Sequence, residues 1–247
     1  VILRCLESAL PCFDELCMVR AIGDNEPDST VDMARAFCED NGKAFKFSEY
    51  RNRIPMPHVD HFGDARQQSF EMATGDWCLW LDCDDYLDEL NAKRIREAAN
   101  VCKKNAVQMG YKMDAGGGVI PRNRLIRRGC GRWRNAIHEL CEVDGPVDGC
   151  PSIVVFHGEH KAKHASSSER NARILAGVVR DIGRNAFYAS HEFKQIGRLE
   201  DSAKMAVAAL QLLDDSQVEE RFIVLLNLSE LDVDNRQKHL LEAARIQ

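Results

Sequence analysis

Three carboxylates fall within four positions in "LDCDDYL": Asp82, Asp84 and Asp85. They follow directly on the apolar run from Trp77 to Leu81. A buried strand that surfaces in clustered acids presents them to a cation or to a proton. Side chains two apart on an extended segment share a face, so Asp82 and Asp84 are expected to converge on one ion. Carboxylate oxygens are hard ligands and favour Mg2+ or Mn2+ over zinc. An ion held by few carboxylates keeps open positions, which phosphate oxygens commonly fill. The chemistry expected is a metal-bridged phosphate or diphosphate. The plainer alternative is a solvated acidic turn in which Asp85 caps the next helix.

Cations gather downstream, at Arg122, Arg124, Arg127, Arg128, Arg132 and Arg134. Guanidinium groups take phosphate in bidentate fashion, so this run either collects phosphate charge or lines a solvated strand face. "IHE" then sets His138 beside Glu139. Adjacent residues of a strand face opposite ways, so one of the two is expected to enter a site. His157 closes the apolar strand "IVVFH" as Asp82 closes its own. It reads as a third metal ligand or as an ordinary hydrogen-bonded surface histidine.

The elements that must position these groups follow from periodicity. "VILRCLESAL" is a helical pattern halted by Pro11, and "DELCMVRAI" reads as a strand. Asp28 can cap the helix "STVDMARAFCEDN", with Gly42 just past its end. "KAFKFSEY" alternates as a strand does, and a long polar loop leads to Asp64. Asp64 and Gln67 have capping-box spacing for the helix "ARQQSFEMAT". A strand over 77–81, a helix over 88–104 and a strand over 106–113 complete an alternation that predicts a parallel-rich α/β sheet. "VIPRNRLIRR", "GRWRNAIHELCEV" and "SIVVFHGEH" then read as strands that extend this sheet in antiparallel fashion.

Beyond "HASSSERN" every segment reads as helix. Ser166 with Glu169, and Ser216 with Glu219, have capping-box spacing. Leu175, Val178, Val179 and Ile182 make a helical stripe. Residues 185–212 read as helix, Gly197 turn and helix, matching a tetratricopeptide unit at Phe193, Gly197, Ala209, Leu210 and Leu212. Ser202 and Ala186 depart from that pattern, and a plain helical hairpin is the alternative. The expected division is residues 1–165 for an α/β domain and 166–247 for a helical region.

Composition bounds the function. The chain has 247 residues, 45% of them hydrophobic and 29% charged, which suits one large core with a smaller appended part. A net charge of −6 argues against a general nucleic-acid partner or an anionic membrane surface. Ten cysteines run from Cys5 to Cys150 without a CxxC pair, which fits reduced thiols and a cytoplasmic place better than a zinc site or disulfides. The sequence opens on Val1 inside a helical pattern, so a strand is expected to precede it.

Taken together, "ARQQSFEMATGDWCLWLDCDDYL", "RNRLIRRGCGRWRNAIHEL" and "VVFHG" resemble the family 2 glycosyltransferases of GT-A fold. The corresponding segments there are Ala-Arg-Asn with Ala-Thr-Gly-Asp-Trp and an Asp-x-Asp metal motif, an Arg-Leu-Phe-Arg stretch running to Ile/Val-His-Glu, and a His-Tyr-Gly strand. The opening "RCLESAL…DEL" resembles the first helix and second strand of a subgroup that often carries a C-terminal tetratricopeptide-like tail. The resemblance implies a Rossmann-like GT-A domain with a mixed sheet. It also implies inverting, hexosyltransferase-like transfer from a nucleotide-diphosphate sugar, with Mn2+ or Mg2+ on the diphosphate.

Carried over by position, Asp82 and Asp84 match the Asp-x-Asp motif, Arg66 the arginine of Ala-Arg-Asn, and Arg124, His138, Glu139 and His157 the later motifs. Asp82, Asp84 and His157 become the expected metal ligands. Arg66, Asp82, Arg124 and His138 become expected donor contacts. Glu139 is the expected catalytic base, with Asp85 in reserve. Two departures stand out: Gln67 replaces the usual Asn, and Arg20 occupies the usual nucleobase-Asp position, where Asp24 or Asp28 can substitute. A UDP-sugar is the expected donor, and a saccharide, lipid-linked or peptide hydroxyl the acceptor. The tail is expected to touch a peptide or protein, and a peripheral membrane place is the alternative to a free cytoplasmic one. Two other readings compete. A degenerate scaffold would bind no nucleotide. A haloacid-dehalogenase-type phosphohydrolase wants Thr or Val where Tyr86 follows Asp84 and Asp85.

Overall fold

A computed structural model describes residues 1–23, 26–113, 118–158, 167–178 and 183–246. The first helix, α1 (Ile2–Ala9), buries Ile2, Cys5, Leu6 and Ala9. That spacing forms one helical face, and Pro11 sits in the short 3-10 turn that ends it. β1 (Glu15–Ala21) and β2 (Ala44–Tyr50) pair in parallel, with α2 (Thr30–Asp40) as the crossover. Ser29, not Asp28, holds the cap position of α2 and makes no side-chain cap bond; Asp28, one residue earlier, accepts the Thr30 N–H at 3.0 Å.

α3 (Phe62–Met72) starts one turn before its expected place. Its cap is His61, whose Nδ1 accepts the Asp64 N–H at 3.0 Å, so Asp64 lies inside the helix. An imidazole lone pair can satisfy a first-turn donor as a Ser or Asp oxygen does, and the usual cap signature misses it. β3 (Trp77–Leu79) is shorter than the run of apolar residues, and β4 (Asp85–Tyr86) follows after a turn. α4 (Glu89–Val101) is capped by Asp88, which accepts the Asn91 N–H at 2.7 Å. Asp85 is therefore not the capping acid.

The remaining strands are β5 (Ala106–Lys112), β6 (Val119–Arg127), β7 (Gly131–Arg134), β8 (Leu140–Val143) and β9 (Val147–His157). Five strands form one sheet in the order β3-β6-β5-β9-β4. Only its β5–β9 pairing is parallel. The sheet is thus mixed and mostly antiparallel, and the parallel β1–β2 pair stands as a separate two-stranded sheet. The expected parallel-rich sheet fails because β5 and β6 are too close in sequence for a crossover, and such neighbours pair antiparallel. Ile95 of α4 packs with Val107, Met109, Leu125, Ile153 and Val155 in the core of this sheet.

The helical part comprises α5 (Ser167–Val178), α6 (Gly183–Gln195), α7 (Leu199–Leu212), α8 (Val218–Leu231) and α9 (Arg236–Ile246). Gly197, at φ 77°, makes the tight turn between α6 and α7 that a side chain would strain. Ala186, Ala206, Ala209, Leu213, Val224 and Leu228 form its core. Ser216 does not cap α8: its N–H goes to Asp214 Oδ1 at 2.8 Å in a preceding turn, and Gln217 occupies the cap position. The expected cap at Ser166 and most of the stripe through Val179 and Ile182 lie outside the described residues. The chain separates into two compact units, residues 1–134 with 139–162, and residues 135–138 with 163–247.

Candidate active site

The acids after β3 do not continue a strand. The Asp85 N–H reaches Asp82 O at 2.9 Å, and the Asp82 N–H reaches Asp85 Oδ2 at 3.0 Å. These two bonds close a turn, so the extended alternation expected for Asp82 and Asp84 does not apply. Turn geometry gives each acid a different environment.

Asp85 is fully buried and makes an ion pair with Arg124 Nη1 at 2.7 Å. Its Oδ1 accepts the Tyr111 hydroxyl at 3.0 Å. Both oxygens are engaged, which leaves Asp85 unable to serve as the reserve base. Arg124 is equally buried, donates to Trp80 O at 3.2 Å, and lies 3.7 Å and 4.2 Å from the ring centroids of Trp80 and Tyr111. Among the described residues its Nε and Nη2 have no hydrogen-bond partner, and those aromatic faces supply cation–π stabilisation there. Such an arginine neutralises Asp85 from inside the core and has no surface to offer a donor, contrary to expectation.

The downstream arginines divide in the same way. Arg127 donates to Cys102 O, Arg128 to Gly75 O, and Arg134 pairs with Glu142. These three are thus engaged by neighbouring backbone or by an acid of the adjacent strand.

Asp82 is a third exposed and accepts Arg66 Nη2 at 2.5 Å. Burial pushes its carboxyl up, but the Arg66 guanidinium, with Arg124 and His157 behind it, holds it below the ordinary value. Arg66 reaches from α3, and its Nε donates to Glu139 Oε1 at 2.7 Å. Its guanidinium lies 5.1 Å from the ring centroids of both Trp80 and Trp133. One cation thus joins the aspartate after β3 to the glutamate before β8, and the two acids strengthen its hold on its own proton. Gln67, on the same helix, accepts the Trp133 N–H at 3.0 Å and so fixes β7 against α3.

Among the described residues, Asp84, Asp85 and His157 bring ligand atoms within 4.8 Å of one another. Asp82 is outside this group, its carboxylate paired with Arg66 instead. Asp85 is spent on Arg124 and Tyr111, which leaves Asp84 and His157, both partly exposed, with capacity for an ion. One carboxylate and one imidazole suit Mn2+ and, less completely, Mg2+, with other positions open to solvent or phosphate oxygens.

His138 is drawn elsewhere. At φ 51° its ring stacks on Tyr188 with centroids 3.9 Å apart, and Nε2 lies 3.1 Å from Glu192 Oε1. Burial raises the Glu192 carboxyl, yet bonds from His138, Asn171 and Ser168 hold it down at about 2. The structure groups His138 with the helices. Arg20 pairs with Glu49 on the neighbouring strand, Asp28 accepts the Thr30 N–H ahead of α2, and Asp24 lies outside the described residues.

Sequence reasoning passed over one feature, a cleft of about 510 Å³ beyond the carboxyl ends of β1 and β2, lined by Gly23, Tyr50, Asn52, Arg53 and Met56 among others. Its wall is a folded loop. Asp60 accepts the Tyr50 hydroxyl at 2.8 Å and the Arg53 N–H at 2.7 Å, and Asn52 takes the Asp60 N–H at 3.1 Å. Gly23 is required, since a Cβ there would lie 2.1 Å from Met56 O. The available signal was the Asn52 and Asp60 pair inside a segment read only as polar loop.

A family model described as Glycosyl transferase family 2 matches residues 1–143, more than half of the sequence. The chain belongs to that family. It is a glycosyltransferase. Among solved structures, S. aureus TarS 1–349 in complex with UDP-GlcNAc is similar at 12% identity and a TM-score of 0.56, covering 100% of this chain and 88% of that one. A longer S. aureus TarS structure matches at 11% identity and 0.52, covering 96% of this chain and 52% of that one. These likenesses show a shared fold of GT-A type, including a helical C-terminal region. No curated protein matches the sequence. Among the described residues no helix is long and apolar enough to cross a membrane.

Proposed function

We propose that this glycosyltransferase moves a sugar, with inversion, from a nucleotide-diphosphate sugar to a hydroxyl of a saccharide, lipid-linked or peptide acceptor. The observation that carries the reading is the bridge from Glu139 through Arg66 to Asp82. It gathers a partly exposed carboxylate, a cation and an acid of the Asp-x-Asp motif in one unit. In the proposed reaction the acceptor oxygen attacks the anomeric carbon as its proton passes to Glu139. The bond from that carbon to the diphosphate oxygen breaks, and the nucleoside diphosphate leaves with the electron pair. Arg66 and Asp82 hold the donor, and Arg66 keeps Glu139 turned toward the site until substrate displaces it.

Asp84 and His157 would hold Mn2+ or Mg2+, which supplies charge neutralisation to the departing diphosphate. A UDP-sugar is the donor favoured, given the ligand named for the similar TarS structure. The cleft beyond β1 and β2 has the place and size for a nucleoside, in keeping with ligands binding beyond strand carboxyl ends. The division at 165/166 and a protein-contacting, tetratricopeptide-like tail remain part of this proposal, as does a cytoplasmic place.

Calorimetric titration with UDP tests the reading. Coupling between two ligands is reciprocal, so Mn2+ should tighten UDP and UDP should tighten Mn2+ by the same factor. Equal UDP affinity with and without Mn2+ removes the metal from the proposal. Absence of binding by every nucleoside diphosphate tried, with or without metal, returns the chain to the scaffold alternative.

A further inference from the structure

α3 is capped by a group that can stop being a cap. A serine or asparagine oxygen accepts a first-turn N–H at any ordinary pH, whereas imidazole Nδ1 accepts only while it carries no proton. Nδ1 of His61 takes the Asp64 N–H at 3.0 Å, so the ring that caps is neutral, with its proton on Nε2. The turn it holds opens the helix that carries Arg66.

Two groups compete for the Asp64 carboxylate. Its Oδ2 pairs with Arg53, a residue of the cleft beyond β1 and β2. Its Oδ1 lies 3.5 Å from His61 Nδ1, the same nitrogen that takes the Asp64 N–H. With Nδ1 bare, two acceptors face each other and Arg53 is the better partner. With Nδ1 protonated the preference reverses. The Asp64 N–H then meets another donor, a positive ring stands at the positive end of the helix, and the carboxylate is drawn to the imidazolium. Arg53 is largely exposed, and exposed pairs of this kind exchange at little cost.

The charged groups around the ring are Asp64 on α3, Arg53 and Asp60 on the loop, and Glu139 ahead of β8. Burial lowers the ring's proton affinity below the ordinary 6.5. Asp64 pulls it back, Arg53 adds to the lowering, and Asp60 and Glu139 oppose it. A histidine so shifted favours the fold while neutral, and that contribution is lost as pH falls below 6.5.

We propose that His61 is a positioning residue: neutral, it caps α3 and leaves Asp64 to hold Arg53 of the cleft loop; protonated, it gives up the cap and takes Asp64 from Arg53. That the cleft receives a nucleoside rests on the reading above; the exchange of partners at Asp64 does not.

The test compares the full chain with His61→Asn, whose side-chain oxygen caps without titrating, and with His61→Asp as a second such cap. Hydrogen-exchange protection of the Asp64 amide, corrected for its intrinsic rate, is followed from about pH 7.5 to about 5 beside UDP titrations. The ratio of wild-type to variant affinity cancels the titration of UDP itself. Wild-type protection and this ratio should each fall by roughly 5-fold across the range, while either variant, folded by its unfolding midpoint, keeps its protection. Constant wild-type protection, or an equal loss in the variants, overturns the inference. Protection that falls as expected beside an unchanged UDP ratio refutes the positioning role. If the wild type binds no UDP at any pH while its protection alone falls, the cleft reading fails and the exchange at Asp64 stands.

Discussion

Glu139 and Asp85 have the same functional group and opposite situations. Among the described residues Glu139 is bonded to one guanidinium, which can also turn to a substrate; Asp85 is locked to Arg124 with no exposure on either side. Glu139→Gln should lower sugar transfer by roughly 100-fold or more while donor affinity stays nearly constant. Steady-state rates beside donor titrations check this, and an equal loss of donor binding would assign Glu139 to holding the diphosphate instead. Asp85→Asn should act on the fold, because it leaves the Arg124 charge buried and uncompensated. A loss of about 3–5 kcal/mol in urea unfolding is expected. Spacing singled out all three aspartates. It could not divide their roles, since the partners that do so, Arg66, Arg124 and Tyr111, arrive from a helix and two strands distant in sequence.

Strand and helix ends carry a second kind of polar work, visible at the turn from α3 into β3. Glu15 of β1 accepts the Thr74 N–H at 2.5 Å, the Gly75 N–H at 2.8 Å and the Thr74 hydroxyl at 2.8 Å, and pairs with Lys46 at 2.7 Å. Burial would raise its carboxyl, but Lys46 and these donors bring it from 4.5 to about 2. A carboxyl depressed in the folded state stabilises above its unfolded value and loses that contribution as pH falls through the folded one. Stability should therefore decline between about pH 4.5 and 2 by an amount on the order of 2–3 kcal/mol from Glu15. Glu15→Gln should flatten that part of a thermal-melt pH series, and an unchanged slope would show that the turn holds without it.

Periodicity found nearly every one of these elements. It misplaced those whose limits depend on a tertiary partner. β3 stops at Leu79 because the Asp82–Asp85 turn needs its own backbone bonds. The sheet's direction follows from which strands are joined by short connections, and hydropathy alone is blind to that.

On the scale of the whole molecule the chain visits its helical unit twice, for residues 135–138 and again from 163. Protease should nick the Ser-rich stretch near residues 160–170, where such sequences are commonly cut. The two pieces should then co-elute in gel filtration, because each holds a part of one compact unit, and should separate in denaturant. Separation in native buffer would show that the short visit adds nothing to the helical unit's cohesion. The double visit also bears on descent. A recombination that exchanges everything after residue 163 transplants an incomplete module, whose missing piece includes His138, the partner of Tyr188 and Glu192. Heritable shuffling of such tails is then constrained at a distance: the donor lineage must bring helices that accept the recipient's histidine, or the exchange must carry two separated stretches at once.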